Sequence, residues 1–301
     1  MYITSIWNNK VCTLIYTGNQ RYSGTSNLPR FREIKTFNDF QRALKNKYGI
    51  GEGENYKPWL RVQDVPSQGS SAKIQGMKID REHHTLSEGE TSFLYLAEFR
   101  DSVIDIREQF PLLPIDLSIK IANTLDLRHP TIPDSKILNV MTTDCLLTCY
   151  DKHKGVWYEA VSVKSKAEDL ADKRTAEKLD IERVWWELLG VPFRVYVNTP
   201  ENQTKSKNIQ WFTAPLRHGE TFSDSLLFSA CDLLHIGPML TEQICSELAT
   251  NFNIDGAQAL SVLKTLFAKK IVDVKLDKAI PESGVFEVLS IAPFRIQQHA
   301  G

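Results

Sequence analysis

Alternating apolar and polar positions predict a set of β-strands in the part of the chain before residue 200. The run 103–110 is predicted to be extended, and the runs 137–150 and 156–164 are predicted to be antiparallel strands. The polar segment 151–155 between the latter two is short and ends in glycine, which is typical of a hairpin turn. A further β-prone run covers 193–198, and together these runs predict a sheet.

Apolar residues at helical spacing lie before and between these runs. Helices are predicted at 38–47, 87–99, 119–125 and 167–189. The last of them is long, and Gly190 and Pro192 are expected to end it. A sheet with helices on its faces belongs to the α/β class, which is the predicted class of this region.

The pattern changes after residues 199–204, a polar segment that contains proline. Beyond this segment, helices near 223–234, 241–251 and 256–269 are predicted to precede alternating strands at 271–276 and 285–289. This order of elements is typical of a winged helix. We therefore predict an N-terminal extension over 1–35, a main domain over 36–199 and a winged-helix-like domain over 200–301.

The charge of the chain excludes one class of protein. A sequence of 301 residues can form one large domain or two ordinary ones, and its 36 basic and 37 acidic residues give a net charge of −1. This balance is unlike that of a small constitutive nucleic-acid-binding protein, so any affinity for DNA must come from a local patch. One basic patch is visible between residues 30 and 61, and its members are Arg30, Arg32, Lys35, Arg42, Lys45, Lys47, Lys57 and Arg61.

The five cysteines give no sign of a disulfide framework or a zinc site. Cys145 and Cys149 lie in a predicted buried strand, where a free thiol behaves as a small apolar side chain. No apolar run reaches the length that crosses a membrane, and the N-terminus lacks the pattern of a signal peptide. We therefore expect a soluble protein of a reducing cytoplasm, with no membrane partner.

Candidate chemistry comes from three polar residues on neighbouring predicted elements. Glu90 begins an apolar helix, Asp144 lies inside a strand, and Lys164 ends the next strand. Carboxylate oxygens bind hard divalent cations, and a lysine offers a compact positive charge to water or phosphate. This combination suggests a metal-dependent nuclease.

Each of these residues also has a structural explanation. Glu90 follows Ser87 by three positions, which is the spacing of a helix-capping box. Asp144 lies among apolar neighbours, where a buried carboxylate needs a cation or a metal. A lysine such as Lys164 at a strand end is often only solvated. Glu182 lies on the apolar stripe of its helix, where a salt bridge to an arginine is the alternative.

Candidate DNA contacts lie on the N-terminal side of these residues. Arg42, Lys45 and Lys47 share one short predicted helix, and Lys57 belongs to the same basic patch. Such side chains are expected to touch phosphates rather than bases. His83 and His84 are adjacent, so they point apart in a strand and do not suit a joint metal site, but we expect contact with phosphate.

Several stretches of this sequence match one family. They are Tyr56–Leu60, Val62–Ser67, His83–Ser87, Asp105–Leu113, Met141–Asp144, Val163–Lys164, Glu177–Leu179, and Ile181–Arg183 with Trp186. On these residues the chain resembles the TnsA family, the endonuclease subunits of heteromeric Tn-seven-like transposases. The resemblance runs from about Thr36 into the C-terminal region, and the stretch 105–113 is its most specific part.

The resemblance implies a catalytic core of the restriction-endonuclease-like fold, with a mixed sheet. The family's catalytic residues fall on Glu90, Asp144 and Lys164, and a further site glutamate falls on Glu182. The position two before the lysine is usually Glu or Gln in this fold, but here it is Ser162. That metal position is then expected to pass to water or to the carbonyl of Val163.

The resemblance also implies a role and partners. Members of the family cut the non-transferred strand at the 5′ ends of the transposon, with Mg²⁺ as cofactor and Mn²⁺ as a substitute. A DDE transposase partner, TnsB, cuts the 3′ ends, and the C-terminal domain contacts the AAA+ regulator TnsC. The expected location is a prokaryotic cytoplasm, in association with the nucleoid.

Two other functional classes stay open at this point. The chain could be a stand-alone nuclease of the same fold, or a DNA-binding adaptor that keeps the fold without the chemistry, as Ser162 allows. Catalytic competence of the three-residue site separates the adaptor from both enzymes. Activity without partner proteins separates the stand-alone nuclease from a transposase subunit.

Overall fold

The computed structural model describes residue 34 and residues 36–65, 70–132 and 137–292. Nearly all of the predicted extension over 1–35 lies outside these ranges, and so do Arg30, Arg32 and Lys35 of the basic patch. Among the described helices, none is both long and apolar enough to cross a membrane.

The described residues form helices and strands that are mixed along the chain. The helices are α1 (Phe37–Lys45), α2 (Glu88–Phe99), α3 (Ile115–Thr124), α4 (Lys173–Leu188), α5 (Pro200–Arg217), α6 (Asp224–Cys231), α7 (Thr241–Phe252), α8 (Gly256–Ala268) and α9 (Ile280–Ser283). The strands are β1 (Ala72–Gln75), β2 (Glu82–Thr85), β3 (Val103–Pro111), β4 (Thr142–Asp151), β5 (Gly155–Lys164), β6 (Phe193–Val197), β7 (Gly237–Leu240), β8 (Val272–Val274) and β9 (Val285–Ile291).

The central sheet has the strand order β3-β4-β5-β6. Strand β4 is antiparallel to both β3 and β5, whereas β6 runs parallel to β5. The predicted hairpin is confirmed, because β4 and β5 pair in antiparallel register up to Asp151 and Gly155. The sheet is therefore mixed and the fold is α/β, as the sequence predicted.

Several predicted elements have different bounds in the structure. The helix predicted over 167–189 is interrupted, because Asp172 caps α4 by accepting a hydrogen bond from the Thr175 backbone N at 2.7 Å. A separate 3₁₀ turn precedes it at Ala167–Ala171. Strand β4 begins at Thr142 rather than at 137, and the short hairpin β1–β2 and helix α5 were not predicted.

Two large hydrophobic clusters pack against the central sheet. One contains the aromatic side chains of Phe110 and Trp186, whose ring centroids lie 5.7 Å apart between β3 and α4. The other runs through the predicted boundary near residue 200, because Phe99 of α2 lies 5.3 Å from Phe212 of α5. Helix α5 therefore joins the central sheet to the C-terminal elements.

The C-terminal elements include a second antiparallel sheet, with the strand order β7-β9-β8. Helices α7 and α8 connect β7 to β8, so the helices and the two later strands occur in the predicted order. Strand β7 was not predicted. Membership of this region in the winged-helix class stays a prediction.

Candidate active site

Three elements meet where β5 ends. Asp144 lies on β4 beside Ser162 of β5, because Cys145 pairs with Val161 in the antiparallel register. The first turn of helix α2 packs closely against the end of β5. A Cβ atom added to Gly89 of this turn would lie only 3.2 Å from Cγ1 of Val163. The small residue at position 89 therefore lets the start of α2, with Glu90, reach the strands that carry Asp144 and Lys164.

Glu90 is held at the start of α2 by its own helix cap. Ser87 accepts a hydrogen bond from the Glu90 backbone N at 3.2 Å and donates one to Glu90 Oε1 at 3.0 Å. The backbone N of Leu86 donates to Glu90 Oε2 at 3.0 Å. Burial, and then the charge of Asp144, raise the pKa of Glu90 to about 7. The capping role and the place in the site therefore coexist in one side chain.

Asp144 is tied to the neighbouring strand. Its Oδ2 accepts hydrogen bonds from the backbone N of Val163 at 2.6 Å and from Oγ of Ser162 at 3.3 Å. Burial raises the pKa of Asp144, while the positive charge of Lys164 opposes that shift. The carboxylate is thus fixed in position at a site that disfavours its negative charge.

Lys164 points back along its own strand. Its Nζ donates to Oγ of Ser162 and to the carbonyl O of Val163, both at 3.0 Å. Ser162 therefore lies between the lysine and Asp144 and contacts both. The carbonyl of Val163, which is expected as an alternative to water at one metal position, accepts a hydrogen bond from the lysine in this structure.

Glu182 of α4 lies close to Asp144 and is only 5% exposed. Its Oε1 is buried and has no hydrogen-bond partner among the described residues. Burial and the charge of Asp144 raise the pKa of Glu182 to about 8. The expected alternative, an ion pair with an arginine, does not occur within the part of the chain that the structure describes.

This donor set fits a hard divalent cation. Across residues 34, 36–65, 70–132 and 137–292, no three His, Cys, Asp or Glu side chains form a ready-made metal cage. However, Mg²⁺ commonly uses only one or two carboxylates and completes its shell with water and phosphate. Glu90 and Asp144 supply two carboxylates, and the buried, unpartnered oxygen of Glu182 lies in surroundings that disfavour its ionised form. A bound cation would offset the repulsion between these carboxylates and would favour their ionised forms.

The predicted DNA contacts fall into two groups. Arg42, Lys45 and Lys47 are exposed at the end of α1 or just beyond it. Lys57 is also exposed and lies beside them, because its Nζ is 3.5 Å from the carbonyl O of Asn46. The structure therefore brings these four side chains onto one basic surface.

The two histidines are placed differently. His83 is 1% exposed, and its Nδ1 lies 3.1 Å from Oε2 of Glu108. The side chain is enclosed in this conformation, and a contact of His83 with a DNA phosphate stays a prediction. His84 is also buried, at 8% exposed, and its Nε2 lies 3.7 Å from Oε1 of Glu82. The hairpin β1–β2, which packs both rings, gives them structural contacts.

Sequence reasoning missed one residue of the site. Gln109 of β3 donates from its Nε2 to Oε2 of Glu90 at 3.1 Å and to Oδ1 of Asp144 at 3.4 Å. The one local indication in the sequence is that Gln109 is a polar residue in a predicted strand, between the charged Glu108 and the aromatic Phe110. The contacts themselves arise only when β3 pairs with β4.

A mixed α/β core with two carboxylates and a lysine at adjoining strand and helix ends defines a nuclease of the restriction-endonuclease-like class. A family model described as the TnsA-like endonuclease N terminal matches residues 100–198, which include Asp144, Lys164 and Glu182. The chain is also 35% identical over 243 residues to the Transposon Tn7 transposition protein TnsA of Escherichia coli, covering 79% of this chain and 86% of that protein. The chain belongs to the TnsA family of transposition endonucleases.

Proposed function

We propose that this endonuclease hydrolyses DNA with Mg²⁺ held by Glu90 and Asp144, and that Mn²⁺ substitutes for Mg²⁺. The observation that carries this proposal is the convergence of the two carboxylates on a single amide donor, Gln109, with contacts of 3.1 and 3.4 Å. Two carboxylates this close repel each other unless a cation lies between them or one is protonated. Glu182 supports the cation from the side of α4.

A bound Mg²⁺ would stabilise negative charge on the scissile phosphate and lower the pKa of a bound water. The protein's own residues supply the remaining functions. The backbone N of Val163 donates to the Asp144 carboxylate and so anchors it to the neighbouring strand. Lys164 provides the positive charge nearest to Asp144, and we assign to it the orientation of the attacking water or the balance of phosphate charge.

Ser162 does not argue against activity. Its Oγ accepts a hydrogen bond from Lys164 at 3.0 Å and donates to Asp144 at 3.3 Å. A serine here joins the lysine to the carboxylate rather than reaching a metal itself. We therefore favour the active nuclease over the DNA-binding adaptor, and we assign the remaining coordination to water or to the Val163 carbonyl.

We further propose that the substrate is the transposon end, cut in the non-transferred strand at the 5′ side. Family membership supports this proposal. We propose accordingly that the protein acts together with a DDE transposase, TnsB, and an AAA+ regulator, TnsC. The C-terminal elements after α5 carry none of the proposed catalytic residues, which leaves them available for the regulator. Lys57 and the α1 residues Arg42 and Lys45, together with Lys47, are the proposed contacts to DNA phosphates.

The metal requirement is tested by titrating the purified protein with Mn²⁺ in a calorimeter and by assaying cleavage with and without Mg²⁺. The proposal predicts Mn²⁺ binding to the wild type, weaker binding to Asp144→Asn, and no cleavage in EDTA. Glu88→Gln, an exposed residue on the same helix as Glu90, serves as the control and should bind Mn²⁺ normally. Cleavage that persists in EDTA would contradict the proposal.

A second assay separates the competing classes. A mixture of end-containing DNA with this protein alone, and with the transposase and regulator added, distinguishes a subunit from a stand-alone nuclease. Cutting only in the complete mixture supports the subunit. Cutting by the isolated protein at full rate favours the stand-alone nuclease, and no 5′ cutting in any mixture favours the adaptor.

A further inference from the structure

Gln109 contacts both of the proposed metal-binding carboxylates. It is 3% exposed, and each end of its amide group has a partner. The Nε2 contacts both Glu90 and Asp144, while Oε1 accepts a hydrogen bond from Oγ1 of Thr142 at 3.0 Å. The amide therefore connects two elements, the start of α2 and strand β4, at the atoms that face the reaction.

The chemistry of the groups fixes the orientation of this amide. The carboxyl oxygens of Glu90 and Asp144 that lie nearest to the amide accept hydrogen bonds, so the NH₂ end of Gln109 faces them. The hydroxyl of Thr142 donates to the oxygen end and opposes rotation by half a turn. Gln109 thus offers both of its N–H donors to the two carboxylates.

The backbone of Gln109 has an unusual conformation that supports a special role. Its φ is 48°, in the left-handed region, which costs a non-glycine residue roughly 1–2 kcal/mol. Contacts on both sides hold it there. The backbone N of Trp59 donates to the Gln109 carbonyl at 3.2 Å, and the hydroxyl of Tyr56 donates to the preceding carbonyl of Glu108 at 2.9 Å.

The side chain of Glu108, the residue before Gln109, also holds this part of β3 in place. Arg81 donates from both terminal nitrogens to the Glu108 carboxylate, at 2.7 and 2.6 Å, and the backbone N of His84 donates at 3.0 Å. Burial alone would raise the pKa of Glu108, but hydrogen bonds from Arg81 and His83 lower it well below the usual range. A permanently charged, immobile neighbour therefore fixes the backbone from which Gln109 reaches the site.

We propose that Gln109 is a positioning residue that sets the relative placement of Glu90 and Asp144 for cation binding. This inference rests on the proposed function of the site, but it makes a separate statement about one amide group. In the absence of a cation the N–H donors keep the two carboxylates together. When a cation binds, the same residue limits how far they can separate.

The bridge itself can be tested without any metal. In a ¹⁵N-labelled sample, the side-chain NH₂ protons of Gln109 should exchange slowly with solvent and should shift when Asp144→Asn removes one charged acceptor. Gln243 of α7 provides the comparison, because it is exposed and its amide donates to Glu247 of the same helix. Fast exchange of the Gln109 NH₂ protons, or signals that Asp144→Asn leaves unchanged, would overturn the proposal whatever the fate of the metal assay.

The consequence for the cation is tested with Mn²⁺ alone as the probe. Gln109→Met keeps the size of the side chain and removes both donors, so we expect Mn²⁺ affinity to fall about tenfold or more, as it does when outer-shell partners are lost. Gln243→Met, on the exposed side of α7, is the control and should bind Mn²⁺ as the wild type does. An affinity for Mn²⁺ close to that of the wild type in Gln109→Met would overturn the positioning role.

A second variant covers the case in which Gln109→Met fails to fold. Thr142→Val leaves Gln109 in place but removes the hydroxyl that orients its amide. Here we expect a smaller loss of Mn²⁺ affinity and faster exchange of the Gln109 NH₂ protons, and no change in either would overturn the proposal. If the wild type itself binds no Mn²⁺, the proposed function fails while the NMR result still decides the bridge.

Discussion

Glu182 and Asp144 are two buried carboxylates on different elements, α4 and β4, and each disfavours the charge of the other. Burial and the neighbouring Asp144 raise the pKa of Glu182 to about 8, and one of its oxygens has no hydrogen-bond partner among the described residues. The free energy that the metal-free protein loses when these carboxylates ionise is therefore a measurable property of the site.

The first prediction concerns the pH dependence of stability. Because the folded-state pKa of Glu182 lies near 8 and its ordinary value is 4.5, the folded chain keeps a proton that the unfolded chain releases. The metal-free protein should therefore lose stability as pH rises from about 4.5 to 8, by on the order of a few kcal/mol. Glu90, with a pKa of about 7, contributes in the same direction. Urea unfolding measured across this pH range provides the check.

Glu182→Gln should flatten this dependence and should be more stable than the wild type at pH 8. Glu168→Gln removes an exposed carboxylate from the turn before α4 and should leave the slope unchanged. A wild-type stability that rises steadily with pH over the same range would contradict the placement of Glu182 beside Asp144.

A second prediction concerns Lys164. If its positive charge serves the attacking water or the phosphate, Lys164→Ala should lower the cleavage rate by about 10²-fold or more while Mn²⁺ still binds. Lys166→Ala, two residues further along and exposed, should cleave normally. Calorimetry on the same samples separates the roles, since loss of Mn²⁺ binding together with folding would mark Lys164 as structural.

The third prediction concerns the basic surface formed by α1 and the following turn. Replacing Arg42, Lys45 and Lys47 with glutamine should weaken DNA binding for all sequences alike and reduce the slope of log affinity against log salt. A matched control replaces Lys152 and Lys154 with glutamine. These two residues lie in the β4–β5 turn, at the opposite end of the strands from Asp144 and Lys164. An unchanged salt slope in the α1 variant would show that this face is only solvated.

The fourth prediction concerns the connection between α2 and α5. Arg217 of α5 forms a buried ion pair with Glu98 of α2, and Arg217 also donates to the carbonyl of Gln75 at 2.6 Å. Removing Arg217 leaves a buried carboxylate without its cation, so Arg217→Ala should destabilise the protein by about 3 kcal/mol or more. Arg183→Ala breaks ion pairs that are about half exposed and should cost under about 1 kcal/mol. Equal losses in the two variants would contradict the burial argument.

The sequence was sufficient for the local features of the fold. The glycine-ended turn at 151–155 predicts the β4–β5 hairpin, and Ser87 predicts the start of α2, because both signals act within a few residues. Helix α5 was missed because its first turns are polar and Pro215 lies within it. Its helical form depends on packing against α2 and α8, which sequence spacing does not reveal.

The same limit applies to the site. Glu90, Asp144 and Lys164 could be named from residue type and position, although their assignment still awaits the measurements above. Gln109 could not, because its contacts depend on the pairing of β3 with β4 and on a left-handed backbone held by distant residues. The contact of His83 with Glu108 could not be predicted for a related reason: Glu108 lies 25 residues further along the chain and meets His83 only in the folded protein.

The most direct test of the central claim is a map of cut strands at nucleotide resolution in a complete transposition mixture. Asp144→Asn preserves the size of the side chain and an acceptor for the Val163 backbone N, so the variant should fold. The account predicts that 5′-end cutting disappears in this variant while 3′-end cutting by the partner transposase continues, giving joined rather than excised products. Full 5′-end cutting by Asp144→Asn would contradict the assignment of this site.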